Sequence, residues 1–425
     1  MQIGKFQGQK IANRFLSPAS IICLGFLSKC LVLFFLPTQN LFEKDSFRYL
    51  NLSRDFFENY FSQSASLAAF DTSPGYPFIL YLLGNFTPKQ IVLTQFLILA
   101  ISQFLLFRIL IKHFSYNYSV CGLFLFTLES STNTSSFKIL SESWLLFLLI
   151  FLLYVISKDS SSFLIKLLSG FALGMAILVK PIAQFIFCTL VIAALCNFNQ
   201  IRRLLPATLA CLAILVSWLS FNYAKYEVPQ VSGIQSYNLL YYEGSGAKSF
   251  RSGSPLMEVQ ANEFDLEHEF SMVNTDVAKI VNYREKQGFS LIFQNFSGFL
   301  EMHVVGIFKI LFGPGSATIS QITGHFPFSN LSKIIFEIAS LFSSSLQALG
   351  SAIALLFVFP RTFKERRFLL FLAAFSFVVL LIISSGANAY SRFRVPLVPF
   401  EIILLGYTYE AILIKVHSRA SNRKS

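Results

Sequence analysis

The chain has 425 residues, of which 54% are hydrophobic and only 13% charged, with 50 Phe. A soluble protein of this length carries about twice that charge; with a mean hydropathy of +0.60, this excludes a water-soluble enzyme and predicts an all-α polytopic membrane protein. The 34 basic residues exceed the 22 acidic ones by 12, but they gather in short clusters between apolar runs, the positive-inside pattern of membrane loops rather than a nucleic-acid surface.

Lys5, Lys10 and Arg14 precede the first apolar run, which starts near Phe15 and ends at Leu36-Pro37. They place the N-terminus in the cytoplasm. With no small-residue cleavage site before Pro37, the run reads as an uncleaved signal anchor. Lys29 falls inside it, either snorkelling or facing inward. The first outer loop, 37–89, opens with Glu43-Lys44-Asp45-Ser46-Phe47-Arg48-Tyr49, whose charges must sit at the water interface. A second span, from about Gln90 to Ile111, returns to the inside at Arg108, Lys112 and His113. The third, from about Tyr118 to Leu128, emerges at a polar loop, 129–136. Ser141-Glu142-Ser143-Trp144 opens the fourth, which ends at Lys158. The fifth, Phe163 to Val179, reaches the outer face at Lys180-Pro181. The sixth ends before Arg202-Arg203, and the seventh emerges at Trp218 to Asn222.

The longest polar stretch runs from Ala224 to Ser290, where acids outnumber bases nine to six, which predicts an outer location. Leu291 to Phe312 carries Glu301, His303 and Lys309 among apolar residues, so an amphipathic helix along the outer membrane surface is expected there, completing an outer segment 224–327. The eighth span ends at Phe359-Pro360 before Arg361, Lys364, Arg366 and Arg367. The ninth emerges near Ser384 into loop 386–396, and the last returns to a basic tail with Lys415, Arg419, Arg423 and Lys424. About ten spans with both ends inside make one transmembrane domain over 1–425.

Asp45, Arg48, Arg54, Glu142, Lys180, Asn222, Arg392 and Arg394 all fall at outer span ends or in outer loops. Few ionisable groups lie mid-span, where a transporter more often places them. Each candidate has an ordinary reading as well. Glu142 is also a helix-start acid favoured by the dipole. Arg392 and Arg394 also suit lipid headgroups, and Pro74-Gly75-Tyr76-Pro77 suits a turn. Glu129 competes with Glu142, and His303 and His325 read as structural. The six Cys show neither metal-ligand spacing nor a disulfide framework.

Five motifs follow in order: Asp45-Ser46-Phe47-Arg48-Tyr49, Ser73-Pro74-Gly75-Tyr76-Pro77, Leu140-Ser141-Glu142, the small-rich run 170–179 ending in Lys180-Pro181, and Arg392-Phe393-Arg394-Val395-Pro396. On these the chain resembles the polyprenol-phosphate-sugar-dependent glycosyltransferases of the GT-C fold, the branch of the protein O-mannosyltransferases and the lipid A aminoarabinose transferase. It departs from them in lacking Arg before Asn222-Tyr223 and in having Lys180 where Arg is common. The resemblance implies a GT-C fold with outer-face juxtamembrane helices, in the bacterial inner membrane, with the site facing the periplasm. It implies inverting transfer of a sugar from a polyprenyl-phosphate donor to a lipid, glycan or protein acceptor, with no cofactor and no metal. Asp45 and Glu142 would be the catalytic carboxylates; Lys180, Arg392 and Arg394 would hold the donor phosphate; Arg48, Tyr49, Tyr76, Asn222 and Tyr223 would contact substrate. The chemistry agrees. A sugar on a lipid phosphate already has a good leaving group, so one proton-accepting carboxylate and a few cations suffice, whereas ordinary glycoside cleavage needs an acid as well. Two other readings are a lipid-linked sugar flippase and an envelope polysaccharide polymerase or ligase.

Overall fold

The first helix shows how the bundle is built. Pro18 fills the first position of α1 (Pro18–Phe35), and the Ser17 hydroxyl accepts from the Ser20 N–H at 3.1 Å. Leu24, Leu27, Leu31 and Phe34 form an exposed stripe at helical spacing, while Ile21, Gly25, Lys29 and Leu33 face inward. Large apolar side chains outward, with Gly25 and Lys29 among those turned inward, is the arrangement of a helix solvated by lipid. Lys29 belongs to the inward face, where its ammonium donates to the Gly25 carbonyl at 3.3 Å.

The computed structural model describes residues 17–62, 66–158, 162–196, 198–324, 329–358 and 368–422, and all regular structure among them is helical. Lys5, Lys10, Arg14, His325, Arg361, Lys364, Arg366, Arg367, Arg423 and Lys424 lie outside the described residues. After α1 come four short helices, α2 (Lys44–Arg54), α3 (Phe56–Phe61), α4 (Leu67–Phe70) and α5 (Gly75–Leu83). Then follow α6 (Pro88–His113), α7 (Tyr116–Leu128), the short α8 (Ser130–Ser136), α9 (Glu142–Ser157), α10 (Phe163–Val179), α11 (Gln184–Cys196) and α12 (Phe198–Tyr226). The polar stretch after α12 is a helical layer: α13 (Ile234–Asn238), a π-helical turn (Leu239–Gly244), α14 (Ser245–Ser252), α15 (Leu256–Val273) and α16 (Val277–Gln294). The chain closes with α17 (Phe296–Phe312), α18 (Ser316–Thr323), α19 (Ser329–Ile353), α20 (Phe368–Ser384) and α21 (Val398–Asn422).

The long apolar helices fall where the hydropathy put its ten runs: α1, α6, α7, α9, α10, α11, α12, α19, α20 and α21. Among the described residues, segments of α1, α6, α12 and α19 are individually long and apolar enough to cross a bilayer. The amphipathic helix begins later than expected. The chain bends by 93° between α16 and α17, so 291–294 belong to α16. On α17, Phe296, Leu300, Val304 and Phe308 are exposed on one face, while Gly298, Met302 and Gly306 pack inward.

Two contacts set the position of the later site. Gln95 on α6 is fully buried; its amide donates to the carbonyls of Ser136 and Lys138 at 3.0 and 2.7 Å and accepts from the Tyr76 hydroxyl at 2.9 Å. Gly75 lies flat on the end of α10, where a Cβ would come within 2.5 Å of the Leu178 carbonyl carbon. The small-rich run serves packing as well. At Gly170 a Cβ would sit 2.0 Å from the Ala207 carbonyl oxygen, so α10 and α12 meet backbone to backbone.

Gly170→Val therefore forces α10 and α12 apart. Overpacking of this kind typically costs about 1–3 kcal/mol. A lowered melting temperature in detergent, measured against Ala172→Gly as a control on the same helix, checks it; an unshifted melt contradicts the close approach.

Candidate active site

Four ionisable side chains from four segments meet at one end of the bundle. The start of α2 is pinned first. The Ser46 hydroxyl accepts from the Glu43 N–H and donates to the Ile139 carbonyl, both at 2.9 Å, and the Ile139 N–H donates to the Leu41 carbonyl at 2.9 Å. Lys138 pairs with Glu43 at 3.3 Å. This straps the first turn of α2, with Asp45, to the residues just before α9, whose first residue is Glu142. Acids in the first turns of α2 and α9 also suit the helix dipoles. Lys180 ends α10, and Arg392 lies in a 3-10 turn (Ser391–Arg394) between α20 and α21.

The four side chains form a row. Arg392 donates from Nη2 to Asp45 Oδ2 at 2.8 Å. Its Nε lies 3.0 Å from Glu142 Oε1, an approach too oblique for a hydrogen bond and so a bare contact of opposite charges. Lys180 donates to the same Glu142 oxygen at 2.8 Å. Glu142 is the buried centre and Asp45 the open end: the Glu142 side chain is 1% exposed, Lys180 and Arg392 19%, and Asp45 37%. Burial works against charge on Arg392, but the carboxylates, Glu142 above all and then Asp45, outweigh it and hold the guanidinium pKa above its ordinary value. Phe393 and Tyr390 meet edge to face at 5.0 Å beside the row, with Arg392 5.7 and 5.6 Å from their ring centres and Lys180 5.3 Å from Phe393. Burial pushes the Tyr390 hydroxyl up to about 12, so it stays a neutral donor.

Two acceptor positions are left open. Asp45 Oδ1 takes no hydrogen bond among the described residues, and the buried Glu142 Oε2 has no partner either. Leaving a buried carboxylate oxygen unmet costs roughly 1–3 kcal/mol.

The other sequence candidates are placed differently. Arg394, expected at the donor phosphate, is 1% exposed and faces the opposite way. It donates to Glu401 at 2.9 and 3.1 Å, to the Leu311 carbonyl at 3.1 Å and to the Ser344 carbonyl at 3.3 Å, tying α17, α19 and α21 together. That enclosure leaves it no phosphate to hold. Tyr49 packs edge to face on Tyr76 at 5.0 Å next to the row, whereas Tyr76 itself is wholly buried on Gln95. Asn222 is buried, its amide donating to the Gln230 carbonyl at 2.6 Å, and Tyr223 is 61% exposed; neither has a partner in the row. Glu129 caps α8, accepting from the Ser131 and Thr132 N–H groups. Arg48 shares α2 with Asp45, but the cation paired with Asp45 is Arg392.

Sequence reasoning missed a second charged cluster. Arg284 on α16 grips both oxygens of Asp71 at 2.9 and 3.0 Å and both oxygens of Glu267 at 2.8 and 2.9 Å, and the Tyr241 hydroxyl adds a bond to Glu267 at 2.9 Å. It clamps the first outer loop to the helical layer. No local signal marks it: Asp71 and Arg284 stand 213 residues apart.

With the geometry in hand, the chain can be compared with known proteins. It is similar to the apo oligosaccharyltransferase of Archaeoglobus fulgidus, with a TM-score of 0.50 at 13% identity, covering 96% of this chain and 52% of that one. The fold is GT-C. The chain spans about half the length of that archaeal enzyme. A looser likeness, with a TM-score of 0.37 at 15% identity, links 92% of the chain to 78% of ArnT from Cupriavidus metallidurans in the apo state and carries no weight here. No family model matches the chain, and no curated protein matches it in sequence.

The structural role of Arg394 makes an expectation. Arg394→Met strands Glu401 as a buried charge and lowers stability by about 3–5 kcal/mol, while the double change Arg394→Met with Glu401→Leu recovers most of it. Thermal or denaturant unfolding of the two variants reads this; a single variant as stable as the parent would return Arg394 to the candidate site.

Proposed function

We propose that the chain is a membrane glycosyltransferase that moves a sugar from a polyprenyl-phosphate donor to an acceptor hydroxyl, with inversion, on the outer face of the membrane. The observation that carries this reading is the row Asp45–Arg392–Glu142–Lys180 at the ends of the spans, with Asp45 Oδ1 open. A lipid-anchored donor can present its sugar only near the membrane edge, and the row lies at the ends of apolar helices, with Glu142 opening α9 and Lys180 closing α10.

Each residue then has one task. Asp45, paired with Arg392 at 2.8 Å, takes the proton of the acceptor hydroxyl. The acceptor oxygen bonds to the anomeric carbon from one side as the carbon–oxygen bond to phosphate breaks on the other. Polyprenyl phosphate leaves with the bonding electrons, its charge met by Arg392 and Lys180. Glu142 is a positioning residue: it lies behind both cations and aims them at the phosphate. The row is formally neutral, two carboxylates against two cations, so the donor's phosphate competes with carboxylates already in place. Arg392 can turn from Asp45 toward phosphate, which frees the second Asp45 oxygen when the donor is bound.

Asp45→Asn keeps the shape and removes the basicity. It should lower single-turnover transfer by about 10²–10⁴ while the purified protein still binds the donor lipid. Arg392→Gln should cost about 1.5–3 kcal/mol of transition-state binding, roughly tenfold or more in rate. Near-normal transfer by Asp45→Asn would sink the assignment, and lipid-sugar translocation that survives it would identify a flippase.

A further inference from the structure

The loop that delivers Arg392 leaves α20 at Ser384 and runs through 385–390 into the 3-10 turn Ser391–Arg394. Contacts hold it near both ends. A Cβ at Gly306 on α17 would lie 1.7 Å from the Ser385 carbonyl oxygen, so loop and helix meet backbone to backbone. A Cβ at Gly386 would lie 2.0 Å from Oε1 of Glu243, in the π-helical turn. At the far end, the Ser391 hydroxyl oxygen would lie 2.8 Å from a Cβ at Gly315, just past α17. Two side chains join the first of these seats. Glu243 Oε2 lies 3.0 Å from His303 Nε2, and His303 Nδ1 lies 2.7 Å from the Ser385 hydroxyl. That hydroxyl gives its one hydrogen to the Ile382 carbonyl at 2.7 Å. At His303 it therefore accepts, and Nδ1 is the donor. Phe299 holds the imidazole edge to face at 4.4 Å. Both polar side chains are largely enclosed, His303 17% and Glu243 23% exposed. Lys248 and Arg251 on α14, which packs on the same helix, are engaged with Glu263 and the Ser297 hydroxyl, and the partner of Glu243 is His303.

We infer that Glu243 and His303 are positioning residues for Arg392: their hydrogen bond, continued to Ser385, seats the loop so that the guanidinium stands between Asp45 and Glu142, in reach of the donor phosphate. This rests on the glycosyltransferase reading of that row. The row does not fix its own backbone. Arg392 makes one hydrogen bond there, to the half-exposed Asp45, and its Nε makes none. Residues 385–390 carry no charge with which to anchor themselves. The turn is therefore held from its two sides. Behind it, Arg394 is caged by Glu401 at 2.9 Å. Ahead of it, the anchor is the line Glu243–His303–Ser385, which ties the loop to α17 and to the π-helical turn at once. Arg392 lies between the two anchors. A guanidinium meets phosphate productively only in a narrow geometry, and a misplacement of about 1 Å costs roughly 10²-fold in rate. Side chains that never touch the donor can thus govern how well Arg392 receives it.

The test uses the full chain in nanodiscs with two readouts: equilibrium binding of polyprenyl phosphate, and hydrogen exchange of the 385–394 amides by mass spectrometry, which needs no ligand. His303→Phe keeps a ring and removes both hydrogen bonds; Ser385→Ala removes one. Each should speed exchange in the loop. His303→Phe should weaken polyprenyl-phosphate binding by about tenfold, as much as Arg392→Gln, the worth of one charge-assisted bond. In the double variant, His303→Phe with Arg392→Gln, the loss should be no greater than in Arg392→Gln alone, because His303 acts through the arginine. Glu243→Gln, whose amide can donate to Nε2, should bind close to the parent, whereas Glu243→Leu should fall with His303→Phe. Should His303→Phe fail to fold, Ser385→Ala with and without Arg392→Gln carries the same cycle. Unchanged exchange in the loop, full binding despite a freed loop, or losses that add in the double variant would each overturn the positioning role. If Arg392→Gln leaves polyprenyl-phosphate binding unchanged while His303→Phe still frees the loop, the donor reading fails and the anchoring of the loop survives.

Discussion

One guanidinium lies between two carboxylates, and the local architecture follows from keeping it there. Without Arg392, Asp45 and Glu142 would stand as like charges near each other at the edge of a low-dielectric bundle. With it, each carboxylate has a cation beside it, and Lys180 completes the charge balance at Glu142. Exposed pairs are worth little, so this row cannot hold the segments together by itself. The scaffold assembles it instead. The strap of Leu41 and Ser46 to Ile139, the seat of Gly75 on the end of α10, and the Arg394 cage under α21 each fix one of the backbones that carry the four charges.

Much of this is legible in sequence because lipid leaves a simple trace. Runs such as Phe163–Val179 coincide with α10 residue for residue, since a span must be apolar over its whole length. Asp45, Glu142, Lys180 and Arg392 could be singled out because charges are sparse in this chain and each lies at or shortly beyond the end of an apolar run. What sequence could not provide was direction. Arg392 and Arg394 are two residues apart, and the 3-10 turn between them sends one to the carboxylates and the other into the bundle. Tyr76 and Asn222 are polar groups at span ends too, yet both serve buried carbonyls or amides of neighbouring segments. The polar stretch after α12 reads as a loop by composition, and its helices owe their order to tertiary partners such as Asp71, which no local pattern reveals.

The charged clusters around Arg284 and Arg392 differ in how far their hydrogen bonds are satisfied. Around Arg284 all four oxygens of Asp71 and Glu267 receive guanidinium N–H groups at 2.8–3.0 Å, and the tyrosine beside them adds a further bond. Such a cluster has nothing left to offer a ligand; its worth lies in joining distant segments, and it would be strongly destabilising to break. Around Arg392 the count does not close. Asp45 Oδ1 is open, Glu142 Oε2 is buried and unmet, and the Arg392 Nε hydrogen points past the nearest carboxylate oxygen. Burying charge without finishing its hydrogen bonds costs stability, and in the glycosyltransferase reading the unmet oxygens of this row are where a phosphate, a sugar hydroxyl and a proton in transit would find their partners.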